Sequence, residues 1–484
     1  MLSGNHGGKM PKAGSVASLL GLIVPSFFTS GQVQRKSQNG AQSLSYINGV
    51  RGCAAVIVVI FHTSLAYSST IVFWGYGLES KNYNLLQLPI IRIIYSGHAM
   101  VSIFFVVGGY VNALKPISLL HDQDFETLGR NLSSSLLRRI VRLCLPVIIS
   151  TLAIVFTLRL GLWEPSRRNL TVIRFPDGFP PLQDSFIGEL RHWFSEMERL
   201  FNLFARSYFT EYDVHTWTIP AELRASMALT LVLLMLSRCT VRARLVFMFL
   251  LAGYTLTCGM WEIVLYIMGA CLAELDAVRA SRPVSDKGNS SMTLPTHLGT
   301  STSDVPLPPR RPSHDEAPAA NSITWRRIGL AVVFFASLFL MSAPSDRLAA
   351  TPGYGFICTL VPASLSSIPF RFVNGTGAIL FIYALSNSKT LQRPFNSAIA
   401  QYLGSISFSL YIVHGPVMHI ISYVLVPALW RINGTDTAFK YNFCVFFGNA
   451  VTYMIMIWVA QLFSTYVDKN CVKFSRWVEN AVTI

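Results

Sequence analysis

Arg51 and His62 stand eleven positions apart in the run YINGVRGCAAVIVVIFHTSLAY, residues 46–67. On an α-helix that spacing is about 16 Å of rise and about three turns plus ~20°, so both side chains share a face. The run can cross a bilayer, where an Arg costs about 2.5–3.5 kcal/mol on insertion scales and normally faces a cavity or a partner. A membrane anchor needs neither residue. An imidazole at depth can take and return a proton, and a guanidinium near the interface can fork onto phosphate. The plain alternative is a pair tolerated in a packed core.

Four further stretches carry polar groups in apolar settings. GHAMVSIFFVVGGYV (97–111) holds His98, and its Gly108-Gly109 permits close helix approach. LLRRIVRLCLP (136–146) gathers Arg138, Arg139 and Arg142, with 138 and 142 on one face. Lipid-headgroup anchoring and a phosphate-rich ligand both fit that cluster. HTWTIPAELR (215–224) carries Glu222 and Arg224 into or near the membrane, and Pro220 is tolerable in a first helical turn. YLGSISFSLYIVHGPVMH (402–419) places Ser405, Ser407, Ser409 and Tyr411 ahead of His414. That imidazole sits about 22 Å along a span starting near residue 399, and satisfied packing is its ordinary role. His62 and His414 start from one side of the membrane and Glu222 from the other, so the three can reach similar depths. With Arg51 and the other three arginines at the mouth, the pattern suits group transfer from a phosphate-bearing donor.

The elements that must position these groups follow from composition. Of 484 residues, 52% are hydrophobic and 13% charged, which marks an all-α, polytopic integral membrane protein with about ten transmembrane helices. The predicted spans are 47–67, 90–113, 140–160, 216–237, 244–258, 260–275, 326–343, 370–386, 399–425 and 441–463, the fifth and sixth joined by a tight turn at Cys258-Gly259. A net charge of +15 suggests nucleic acid in a soluble protein, but here the basic residues flank apolar runs, so no nucleic-acid partner is expected. Flanks such as Lys9, Arg35, Lys115, Arg138, Arg242, Arg244 and Lys473 all fall on one side of a ten-span chain, which puts both termini in the cytosol. Asn169-Leu-Thr and Asn433-Gly-Thr then face the lumen as glycosylation sites, although Asn131 and Asn289 head sequons on the wrong side.

The expected organisation is a cytosolic segment 1–45 with an interfacial helix at 16–28, a first membrane half 46–275, and a second membrane half 326–465. Residues 466–484 form a cytosolic tail, and residues 276–325, rich in Pro, Ser and Thr, form a disordered cytosolic linker. Inside the first half, loop 161–215 contains a helical stripe from Phe186 to Tyr208, which reads as an amphipathic lumenal helix roofing a cavity or packing on its neighbours. The eight cysteines include no CxxC pair, so no metal site and no disulfide framework is indicated. The expected partners reduce to the bilayer and small molecules, with no obligate protein partner evident.

These stretches together resemble acyltransferase family 3, the polytopic membrane acyl-CoA-dependent O-acyltransferases, and especially its fungal branch. NGVRGCAAVIVVIFH is similar to the family's "DGxRGxAAxxVxxxH", with Asn48 where Asp is commoner. FFVVGGYV resembles "FFVxSGY" with Gly108 replacing Ser, WTIPAELR resembles "WTIPVEFR", and LGSISFSLYIVHGP resembles "GxISYSLYLxHxP". The resemblance implies transfer of an acyl group, often acetyl, from acyl-CoA as co-substrate, with no tightly bound cofactor. The acceptor it implies is a hydroxylated small molecule, a secondary metabolite in fungal members and a surface sugar in bacterial ones. It also implies His62 as general base, Arg51 with Arg138, Arg139 and Arg142 on the donor, and Glu222 and His414 orienting the base or acceptor, at an endomembrane such as the endoplasmic reticulum. Two other readings stay open: a secondary transporter using Arg51, His62 and Glu222, and a sensor that keeps the fold without the chemistry.

Overall fold

The computed structural model describes residues 44–80, 82–205, 208–281 and 319–482. The interfacial helix expected at 16–28 and all but the two ends of the 276–325 linker lie outside the described residues.

Each of the ten apolar runs is helical. In chain order the longer helices are α1 (Ser45–Phe73), α2 (Gly97–His121), α3 (Phe125–Arg159), α4 (Phe186–Leu200) and α5 (Thr218–Met235). They continue with α6 (Val241–Thr257), α7 (Trp261–Ala280), α8 (Ala319–Met341) and α9 (Pro369–Ser386). The last four are α10 (Ala398–Val417), α11 (Tyr423–Asn433), α12 (Ala438–Phe463) and α13 (Lys469–Val482). Single π-turns join α10 to α11 and α12 to α13. No strand occurs among the described residues.

Among the described residues, six segments are long and apolar enough to cross a membrane: Ser45–Phe73, Gly97–His121, Phe125–Arg159, Val214–Met235, Ala398–Asn433 and Ala438–Val482. The expected count of ten is not reached on that measure. Helix α6 has only 17 residues, α7 carries Glu262, Glu274 and Asp276, and α9 carries Arg371 and Asn374. The turn between α6 and α7 is made by Gly259 at φ +73°, a conformation natural to glycine.

Two close crossings hold the bundle. Helix α2 meets α7 where a side chain on Gly109 would run into the Tyr266 backbone and one on Gly269 into the Val106 carbonyl. Helix α1 meets α10 at Gly52 and Gly404, where any Cβ would collide with Leu403 on one side and Asn48 on the other. Without a hydrophobic drive between helices in lipid, such small-residue contacts supply the packing that associates them.

Two groups read from the sequence as surface groups are not on the surface. Arg244 is buried and forks onto Glu274 at 3.0 and 2.8 Å, while His121 Nε2 sits 2.8 Å from the same carboxylate. Asn169 is buried too, its amide donating to the Tyr423 carbonyl at 2.9 Å, whereas Asn433 is exposed.

Loop 160–217 folds back over α3. Its helix α4 starts at Ser185, whose side chain caps the Gly188 amide, and its inner face buries Glu189 and Glu196. Glu189 pairs with Arg159 at 3.3 Å, and Glu196 accepts from Tyr208 (2.6 Å), Thr210 (3.2 Å) and the Glu211 amide (3.0 Å). Burial raises the Glu196 carboxyl, but those hydrogen bonds outweigh it and leave the group below its ordinary range. The loop is therefore fixed, and it presents Asp177 and Asp213 to the membrane helices.

Candidate active site

The α1–α10 crossing sets the site. His62 lies ten residues beyond Gly52 and His414 ten beyond Gly404, so about 15 Å of rise carries both to the same level. The third imidazole, His215, comes from the 3-10 turn Val214–Trp217 that leads into α5. Donor atoms of the three rings all lie within 4.8 Å of one another. His215 and His414 are buried, whereas His62 keeps part of its surface open.

Gly415 makes the third ring fit. A Cβ there would stand 2.5 Å from His215 Nδ1 and 2.9 Å from Asp213 Oδ1, so the bare backbone of α10 is the floor on which this pair rests. Asp213 Oδ1 accepts from the His215 amide (3.1 Å) and pairs with His215 Nδ1 (2.8 Å). The other ring nitrogen, Nε2, is 3.2 Å from His62 Nδ1 and 3.2 Å from Asp177 Oδ2. Burial by itself raises the Asp177 carboxyl, but the adjacent His215 ring, followed by His62 and His419, pulls it well below the usual carboxylate range. Asp177 therefore stays ionised beside the rings. His414 Nδ1 lies 2.5 Å from the Tyr411 carbonyl, and its Nε2 is buried with no hydrogen-bond partner.

A cavity of about 460 Å³ opens on the other side of this cluster. Arg51, Arg138, Arg139, Arg142, Glu222 and Asp468 line it together with the hydroxyls of Thr218 and Tyr411, and none of the three histidines does. Those two hydroxyls share a hydrogen bond of 2.6 Å, and Tyr411 also donates to the His215 carbonyl at 2.6 Å. The arginines are not equivalent. Arg139 is committed to Glu222, to Asn112 Oδ1 (3.0 Å) and to the Tyr266 hydroxyl (2.7 Å), and Arg138 to Glu479 (3.1 Å). Arg51 and Arg142 form no side-chain hydrogen bond or ion pair among the described residues. All of their donors are therefore to spare for an anion.

The structure brings His62 and His414 together, and it gathers the four arginines around one cavity. It does not bring Glu222 to the histidines. A carboxylate at membrane depth needs a cation, and Glu222 finds Arg139 in the cavity wall. Arg224 likewise pairs with Glu262 at 2.6 Å, and His98 packs edge-on to Phe61 and against Phe370 rather than joining the cluster. Sequence reasoning missed His215, Asp213 and Asp177. The Asp-x-His spacing of 213–215 was the available signal, because its short reach lets the carboxylate hold the ring. Asp177, in RFPDGFPP, carried none.

Similar proteins fit the same outline. The chain is 28% identical over 480 residues to O-acetyltransferase PaAT-1 of Phomopsis amygdali, covering 95% of this chain and 88% of that one. It is 24% identical over 470 residues to acyltransferase R4 of a Phoma species, covering 88% and 94%. It is 22% identical over 481 residues to acyltransferase clz18 of Cochliobolus lunatus, covering 90% and 96%. No solved structure matches it. Residues 44–467 match the family model described as an acyltransferase domain, and this all-helical membrane chain therefore belongs to acyltransferase family 3.

Proposed function

We propose that the chain moves an acyl group, acetyl in the first instance, from acyl-CoA to a hydroxyl of a small-molecule acceptor, with His62 as general base. The observation that supports this most is that Tyr411, in the wall of the arginine-lined cavity, bonds the backbone carbonyl of His215, the residue whose ring pairs with His62. Arg51 and Arg142 take the donor's phosphates, and the thioester arm reaches inward past Thr218 and Tyr411. With Asp213 bonded to His215 Nδ1, His215 Nε2 is shared between Asp177 and His62 Nδ1, and the tautomer with the proton on His62 Nδ1 leaves the His62 Nε2 lone pair free. That lone pair takes the acceptor's hydroxyl proton as its oxygen attacks the thioester carbonyl carbon. Collapse of the tetrahedral intermediate breaks the carbon–sulfur bond, and the imidazolium returns the proton to the departing thiolate. Asp177 and Asp213 stabilise the transient positive charge on the ring pair.

PaAT-1 is named an O-acetyltransferase, which favours acetyl as the group. A secondary metabolite is the acceptor class we favour over a cell-surface carbohydrate. The same reading completes ten crossings by adding α6, α7, α8 and α9 to the apolar set, with both termini cytosolic in an endomembrane such as the endoplasmic reticulum. The test is metabolite profiling of a deletion strain, followed by acylation of its extract with labelled acetyl-CoA. Membranes carrying the chain restore a product one acetyl heavier and release CoA, and membranes carrying His62→Ala do neither. CoA release at background with the wild-type chain returns the protein to the transporter reading, and full turnover by His62→Ala removes His62 as base.

A further inference from the structure

Three imidazole nitrogens converge within the helix bundle, and two of the rings have their other nitrogen already engaged. His215 Nδ1 is held by Asp213, and His414 Nδ1 by the Tyr411 carbonyl. A carboxylate or backbone carbonyl on the far ring nitrogen is the outer-shell arrangement that fixes tautomer and orientation in metal-binding histidines. It leaves Nε2 as the remaining nitrogen of both rings, and His215 Nε2 lies beside His62 Nδ1. A tetrahedral zinc ion with arms of about 2.0–2.1 Å separates its ligand atoms by about 3.3 Å, and the His62 Nδ1 to His215 Nε2 distance is 3.2 Å. The remaining separations stay within 4.8 Å.

One observation independent of the clustering points to a cation. His414 Nε2 is buried with no partner, and a buried polar atom left without one is unfavourable. Asp177 Oδ2 pairs with His215 Nε2 at 3.2 Å, so it lies beside the ligand set. With Asp213 behind the same ring, two carboxylates lie next to the ligand set and offset a double positive charge.

We infer that His62, His215 and His414 form a binding site for a borderline-soft divalent cation of the zinc type, and that its occupation blocks turnover. The inhibition follows from the lone pairs. A metal on His62 Nδ1 forces the proton onto Nε2, the nitrogen that must accept from the acceptor hydroxyl, and it takes the His215 Nε2 lone pair that holds His62 in its working tautomer. The inhibitory half rests on the base assigned under the proposed function, and the binding half does not.

The test uses the full chain purified in detergent and equilibrated with chelator-buffered Zn2+. The expected result is one zinc per chain by elemental analysis, a turnover at least tenfold lower, and recovery on adding EDTA. His414→Gln lowers zinc affinity at least tenfold, while His192→Gln, which alters a histidine of loop 160–217 outside the cluster, leaves it unchanged. Co2+ added to the wild-type chain gives tetrahedral d–d absorption that Zn2+ displaces, which keeps the test valid if a variant misfolds. The inference is overturned by substoichiometric zinc, by retention indifferent to His414→Gln, by absent Co2+ absorption, or by undiminished turnover in the loaded protein. Zinc binding combined with full activity of His62→Ala removes the base and the inhibition together but leaves the metal site standing. Absent binding with an inactive His62→Ala does the reverse.

Discussion

Replacing Asp213 by Asn tests whether His62 works alone or through its neighbour. Asp213 is buried at 5% exposure and touches neither the cavity nor His62; its links are to the ring and the amide of His215. Asn keeps the shape and can still bond the ring, but it carries no charge and can present an NH2 group, which favours the wrong tautomer. A charge-assisted hydrogen bond contributes about 1.5–3 kcal/mol, and each 1.36 kcal/mol is tenfold in rate, so kcat falls about 10- to 150-fold. The donor's KM stays within about twofold, because binding at the arginines is realised equally in ground and transition states. The assay is CoA-thiol release at saturating acetyl-CoA with the acceptor recovered from the deletion strain, alongside a thermal melt to show a folded variant. Asp213→Glu, which restores the charge, recovers part of the loss. An unchanged kcat, or a loss confined to the donor KM, refutes the proton relay through His215 even if His62 itself proves essential.

Arg142→Ala raises the acyl-CoA KM about tenfold, the worth of one phosphate fork, with kcat little changed; equal KM values in the two proteins remove Arg142 from donor binding. Glu222→Ala strands Arg139 in the cavity wall. With 21% and 26% of the two side chains exposed, solvent screening cuts the about 3–5 kcal/mol of a fully buried pair to about 1–2 kcal/mol. A lowered melting temperature, partly restored by adding Arg139→Ala, checks it, and a loss of kcat at full stability would put Glu222 in the chemistry instead. Gly415→Ala pushes a methyl against His215 and Asp213; kcat drops at least about tenfold while α10 still inserts, since forced shifts in packed sites cost about 1–3 kcal/mol. Wild-type turnover in that variant means the ring pair is not where the chemistry happens.

Much of the membrane frame was legible because lipid imposes it. Apolar runs must be helices, so all ten predicted segments are helical, and the Arg51–His62 spacing fixed their shared face. The meeting of His62 with His414 could be sensed only from matching depths; the crossing that creates it depends on Gly52 and Gly404 touching, a tertiary fact. Glu222 was misplaced for a related reason. Depth along its own helix was readable, but which neighbour neutralises it was not, and Arg139 reaches it from α3. Asp177 was invisible because a loop residue has no periodicity to follow. It reaches the rings only because loop 160–217 is anchored by Glu189, Glu196 and Asn169.

Gly108, where the family pattern has Ser, is explained by what fills the space. A Cβ at 108 would stand 2.6 Å from the Tyr266 hydroxyl and 2.8 Å from its ring carbon. That hydroxyl donates to Glu222 at 3.2 Å and accepts from Arg139 at 2.7 Å. The phenol from α7 thus occupies the place a residue-108 side chain would take and supplies a hydroxyl to the same cavity wall. Restoring Ser at 108 would not restore a lost function; it would displace the group that holds Arg139 against Glu222. The departure is a local exchange of one hydroxyl source for another, and it leaves the arrangement of the three histidines untouched.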